Sequence, residues 1–278
     1  MRYRWLAVFP IAYAVVFVVV SAALGEGETL GVFVRGQLLL VRVLAIFGCI
    51  AAARAFSRGD HLRTAWLWLA AATVIVLARD LLRLPPFSLP PSSAGGAGWL
   101  IAGLGVASNL ALLFGVWLLA RAWKVAGIPL PGGRGGAIAV AVAAAVLALV
   151  VAGPGALEHG ARAGADISSV PLFTSAVVDI LALCLLAPLL LTAIALRGGA
   201  VAWPWALVTA SIFCWLLYDA AALTPFLAPD WFPLADVFRG LAENYLFAAG
   251  VAQRFVVERV SREAAGGDGR VAGAAEVA

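Results

Sequence analysis

Long apolar runs separated by short polar breaks make up most of this chain, and the pattern predicts helices that cross a bilayer. A spanning helix takes roughly 20 predominantly apolar residues. On that rule eight segments qualify: 5–24, 30–56, 64–84, 99–123, 137–151, 172–196, 203–225 and 234–257, the fifth being the shortest. Glycine and proline mark the breaks at 25–27, 85–98, 129–136, 153–169, 198–199 and 225–233. The predicted fold is an all-α integral membrane protein, a polytopic bundle of eight transmembrane helices, in which an N-terminal helix precedes a seven-helix bundle. Residues 1–257 form one transmembrane domain, and the small-residue stretch over 258–278 reads as a short cytoplasmic tail without order.

The first segment has a second reading. Met1-Arg2-Tyr3-Arg4, an apolar run and Ala23-Leu24-Gly25 resemble a secretory signal, although the run is longer than the usual 7–15 residues. Retained, it is the first of eight spans. Cleaved, it leaves seven, with the new N-terminus outside.

Composition supports the bilayer. Of 278 residues, 64% are hydrophobic and 12% charged, with a mean hydropathy of +1.02. A soluble domain carries about a quarter charged residues. Cys49, Cys184 and Cys214 lie inside apolar runs and read as small hydrophobes. The net charge is +4, and the basic residues are spread along the chain in ones and twos, which fits loops at a membrane face better than a nucleic-acid patch, so no nucleic-acid partner is expected.

The basic residues set an orientation. With the N-terminus in the cytoplasm, Arg2, Arg4, Arg54, Arg58, Arg63, Arg121, Lys124, Arg134, Arg197, Arg254, Arg259, Arg262 and Arg270 all fall inside. The outer loops hold Arg162 against Glu26, Glu28, Glu158, Asp166 and Asp230. This asymmetry requires an even number of spans and places both termini in the cytoplasm of a cell (inner) membrane protein. The tryptophans near span ends (Trp5, Trp99, Trp123, Trp203, Trp205 and Trp231) read as interfacial anchors.

Against this background the charges inside the spans stand out. Asp236, Arg239 and Glu243 stand at i, i+3 and i+7 of the last segment and share one helix face. At about 1.5 Å of rise per residue, Arg42 falls near the bilayer centre. Arg35 lies seven residues earlier on the same face, and Arg79, Asp80 and Arg83 occupy the outer turns of the third segment. Asp179 lies within the sixth segment and Asp219, beside Tyr218, within the seventh. Five of these are basic and five acidic, all in the outer half of the membrane.

A charge at the bilayer centre costs about 2.5–3.5 kcal/mol on insertion scales, so mutual pairing around an outward-facing polar cavity is expected. The candidate binding residues are Arg35, Arg42, Arg79, Asp80, Asp179, Asp219, Arg239 and Glu243. Arg239 and Glu243 are spaced to pair within their helix, and Asn109 is placed to join them. Alternatively, Arg79, Arg83 and Asp236 snorkel to headgroups. Pro188 predicts a kink in the sixth helix.

Catalytic and cofactor chemistry finds little support. His61 and His159 are the two histidines and fall in predicted loops, which excludes bis-histidine haem ligation inside the membrane and argues against zinc. Lys124, the sole lysine, stands at the cytoplasmic end of the fourth segment, so a retinal Schiff base has no candidate. No cofactor and no nucleophile with a paired base is predicted.

One pattern resembles a known family. Gly240-Leu241-Ala242-Glu243, Leu246-Phe247-Ala248-Ala249 and Ala252-Gln253-Arg254, followed by Glu258 and Arg262-Glu263, are similar to the last helix of the seven-transmembrane receptors with diverse intracellular signalling modules. Those bacterial sensors place a glutamate in the helix and an arginine eleven positions later at the cytoplasmic exit, the separation between Glu243 and Arg254. The resemblance implies a seven-span sensor bundle over the second to eighth helices. Two features depart from the family: only 25–29 precedes the bundle where a folded domain is usual, and about twenty residues follow it where a kinase or cyclase is usual. Such a bundle either signals through a separate cytoplasmic partner or no longer signals. The leading expectation is therefore a sensor binding a small molecule or lipid headgroup. A transporter or channel component, an intramembrane lipid-modifying enzyme and a structural subunit of a membrane complex are the alternatives.

Overall fold

The computed structural model describes residues 4–84, 87, 96–125, 132–164, 166–195, 202–221 and 231–275. These form eight helices and no strand: α1 (Arg4–Leu24), α2 (Glu28–Arg54), α3 (His61–Leu82), α4 (Gly96–Val125), α5 (Gly133–Arg162), α6 (Ser169–Ala195), α7 (Ala202–Ala221) and α8 (Leu234–Ala275). Helices α1 to α7 are long and apolar enough to cross a membrane. The eighth fails that measure because of the charges it carries. The readings at Arg2, Pro85-Pro86, Pro129, Arg197, Gly198-Gly199, Pro225 and Asp230 fall outside the described residues.

Six helices close a ring in the order α2, α3, α4, α6, α7, α8 and back to α2. Two stand outside it: α1 packs on α8 and α2, and α5 on α6 and α7. The expected seven-helix bundle is thus a ring of six with α5 against its flank. Only 11% of α5's spanning window is buried, against 50% for α7, and Ile138, Val142, Val146 and Val150 point away from the protein. The outside of the bundle is apolar, as lipid requires.

Small residues let α2 and α8 meet backbone to backbone. A Cβ on Gly250 would stand 2.2 Å from the Gly48 carbonyl oxygen, and one on Gly48 would stand 2.7 Å from Cα of Phe247. Ala45, Cys49 and Ala52 on α2, with Ala242, Ala249 and Ala252 on α8, continue the seam and are fully buried. Association without a hydrophobic drive depends on close approach of this kind.

Several expectations are corrected. The fifth helix was expected over 137–151, but α5 runs from Gly133 to Arg162 through Pro154. Proline removes one backbone hydrogen bond, but packing compensates: Ala152, Gly155 and Ala156 are buried, and Gly160 lies against the Phe173 ring of α6. His159 therefore sits in the last turn of α5, and His61 is the first residue of α3, not a loop residue. Trp205 is 6% exposed and belongs to the core, because it shares the inward face of α7 with Val208 and Ile212. Pro188 does lie inside α6, at the position where the kink is expected. The backbone past residue 258 stays helical to Ala275, since each added residue extends an existing helix without a new nucleation step.

Candidate functional site

One face of each ring helix carries the polar side chains. On α2 the inward stripe is Leu38, Val41, Arg42, Ala45 and Cys49, and Arg42 is fully buried in it. Its guanidinium donates from Nη1 to Asp80 Oδ2, and its Nε lies 3.7 Å from Glu243 Oε1. Asp80, at the end of α3, is the hub. Its Oδ2 also accepts from Arg239 Nη2 at 2.6 Å, and its Oδ1 accepts from Arg79 Nε at 3.1 Å. Arg239 reaches Asp236 as well, at 3.6 Å. Three helices are thereby tied together: α2 by Arg42, α3 by Arg79 and Asp80, and α8 by Asp236, Arg239 and Glu243.

This is the pairing the balanced charges predicted, with different partners. Arg239 and Glu243 do not pair along α8. Each is drawn instead to an opposite charge on a neighbouring helix, Arg239 to Asp80 and Glu243 to Arg42. Arg35 does not join the cluster. It is exposed, and its side chain runs back along α2, with Nη2 3.7 Å from where a Cβ on Gly31 would lie. Seven residues from Arg42 is the same helix face, but two turns nearer the helix end, where Arg35 is open to the outside. Arg79 and Asp236 are ion-paired and mostly buried, and neither snorkels.

Beside the cluster lies a cavity of about 310 Å³ walled by α3, α4, α6, α7 and α8. That is the lower end of the range for small-molecule sites, about 300–1,000 Å³. Of the expected residues Arg79, Asp179, Asp219, Arg239 and Glu243 line it, while Arg42 stands behind Glu243. Asn109 lines it too, its Nδ2 donating to the Pro171 carbonyl at 3.2 Å rather than to a charge. Asp179 on α6 and Asp219 on α7 are 2% and 8% exposed, and both line the cavity together with Ser175. The Oδ2 atom of each has no partner.

Sequence reasoning missed Thr73, Ser108, Ser168, Ser175, Trp215 and Tyr218, all on the cavity wall. For two of them the signal was periodicity: Ser175 precedes Asp179 and Trp215 precedes Asp219 by about one turn. The Arg239 guanidinium sits 5.8 Å from the Tyr218 ring centroid, a cation–π contact. The other grooves, such as that between Val15, Phe213 and Leu241, are lined mainly by apolar side chains. Among the described residues no group of three His, Cys, Asp or Glu is placed to hold a metal ion.

Asp166 shapes the cavity rim from outside the helices. Its carboxylate accepts from the Ser168 hydroxyl at 2.6 Å and the Ser168 backbone N–H at 2.9 Å, which starts α6. These bonds, the side-chain one first, hold its carboxyl below the usual aspartate range. A lowered carboxyl contributes stability in full above the ordinary value of about 3.9, and the contribution is lost as pH falls through the lower folded value. Asp166→Ala is therefore expected to flatten the acid limb of thermal stability against pH, leaving neutral-to-basic slopes unchanged. An unaltered acid limb would rule out this role.

The cavity is thus a polar space inside an otherwise apolar bundle, bounded on one side by a closed ionic cluster and on the other by a carboxyl pair. No protein-family model, no curated protein and no solved structure matches the chain.

Proposed function

We propose that this chain is a sensor-like integral membrane protein that binds a small molecule or lipid headgroup in the charged cavity and transmits the event along α8. In this reading all eight helices span a cell (inner) membrane, both termini are cytoplasmic, and the cavity opens outward. The support for α8 as a span is that Asp236, Arg239 and Glu243 are taken up in ion pairs within the bundle. The distribution of arginines supports the orientation.

The observation that carries the reading is the cavity itself: about 310 Å³ with a charged or hydroxyl group on every wall. Buried polar groups without partners cost about 1–3 kcal/mol each, so a purely architectural bundle gains nothing by keeping them around a space. The likeness of α8 to the last helix of the seven-transmembrane receptors supports the direction of transmission, toward Arg254 and Glu258, which pair at 2.6 Å on the exposed surface. A response there would pass to a separate cytoplasmic partner. A transporter would need the polar path to continue, whereas Trp66, Leu69, Val116, Leu119, Leu186 and Ile212 form a dry core among the same helices.

The test is a thermal-shift screen of small polar molecules and headgroups on the full chain in detergent, alongside Ser175→Met, which fills the cavity. At least one compound is expected to raise the unfolding midpoint of the wild type and not of the filled variant. If none separates the two proteins, the cavity is not a ligand site and the sensor reading fails.

A further inference from the structure

The ionic groups around the cavity do not all cancel. Arg42, Arg79 and Arg239 are matched by Asp80, Asp236 and Glu243 in the network of ion pairs. Two features are left over, and both line the cavity: Arg83, and the Asp179–Asp219 pair. Arg83 caps the end of α3, is exposed and forms no ion pair among the described residues. The carboxyl pair lies deep, with two buried Oδ2 atoms lacking a donor. An ionised carboxylate only accepts hydrogen bonds, so these oxygens offer free acceptor positions to a donor. The Trp215 ring, one turn before Asp219 on α7, adds an aromatic wall beside them.

We propose that the cavity takes a zwitterion, with a primary ammonium group against Asp179 and Asp219 and an acid group, carboxylate or phosphate, against Arg83. The inference rests on the cavity being a ligand site and names what that site selects. An ammonium ion supplies three donors to the orphaned oxygens and a charge for the Trp215 face. Arg83 offers a planar fork suited to carboxylate or phosphate. Joining both charges in one molecule satisfies both leftovers together, which separate ions of either sign do not. An amino acid and a phosphoethanolamine headgroup share this chemistry.

The experiment uses the full chain in lipid-free detergent with β-alanine, 4-aminobutyrate and O-phosphoethanolamine, against ethylamine, acetate and inorganic phosphate at matched ionic strength. A lipid arm compares nanodiscs of phosphatidylethanolamine mixed with phosphatidylglycerol against phosphatidylglycerol alone. At a hundredfold excess over its dissociation constant, a free zwitterion is expected to raise the midpoint by about 5 °C. Ethylamine and acetate together should not. If a lipid is the source, the phosphatidylethanolamine discs give the rise and the free compounds do not. Arg83→Gln, at an exposed position that tolerates change, and Asp219→Asn should each abolish it. Ethylamine alone matching the zwitterions, or an undiminished shift in Arg83→Gln, would overturn the zwitterion assignment and leave the pocket standing. A shift only from a compound of the wider screen that is not a zwitterion does the same. No shift from any compound or lipid overturns both.

Discussion

Gly250→Ala is expected to cost about 3 kcal/mol or more, the top of the range for overpacked interiors. The added methyl would meet the Gly48 carbonyl oxygen at 2.2 Å and the Cys49 nitrogen at 2.9 Å. Both are backbone atoms, so no rotamer change relieves the clash and α2 and α8 must separate. Separation strains the ion pairs above the crossing, because Arg42 on α2 and Glu243 on α8 depend on the same spacing. Gly36→Ala is the control. It lies on α2, the other helix of the crossing, with open space around its Cβ, and the greater helix propensity of alanine should stabilise by about 0.5–1 kcal/mol. Thermal unfolding of the two purified variants in one detergent checks the pair. Equal midpoints would mean that the crossing is not tight.

The second large effect is expected from Arg42→Met. Asp80 keeps Arg79 and Arg239, but Glu243, 2% exposed, loses its cation. Breaking a buried ion pair on one side costs about 3–5 kcal/mol, mostly through the charge left behind. Adding Glu243→Gln removes that charge, and the double variant should recover most of the loss. A double variant as unstable as the single one would show that Glu243 is not what Arg42 neutralises. Insertion into the membrane is expected to survive in both, since the apolar exteriors of the helices are untouched.

Much of this bundle is legible along the chain, and the limits have a common cause. Hydrophobic runs locate the helices because every span must present apolar surface to lipid, and a charge within a span must find a partner. Periodicity places Asp236, Arg239 and Glu243 on one face of α8 but says nothing about which helix that face meets. Hence spacing alone points Arg239 to Glu243, whereas Asp80 on α3 takes it. The same blindness placed Arg35 with Arg42 and Trp205 at an interface. The cavity wall was half visible. Buried carboxylates announce themselves in an apolar run, whereas Ser108, Ser168 and Ser175 become informative only when three helices converge on them. The Gly48–Gly250 crossing is not legible in the sequence, because glycine in a long apolar run signals close approach only once its partner is known.

The crossing has a mechanical corollary for α8. A stiff rod gripped at one station has a fulcrum there. Glu243 lies about 10 Å from Gly250 along the helix axis and Arg262 about 18 Å on the opposite side, at about 1.5 Å per residue. Any tilt imposed near Glu243 would reappear at Arg262 reversed in sense and magnified, so the point where two glycines touch also sets the gain of the lever.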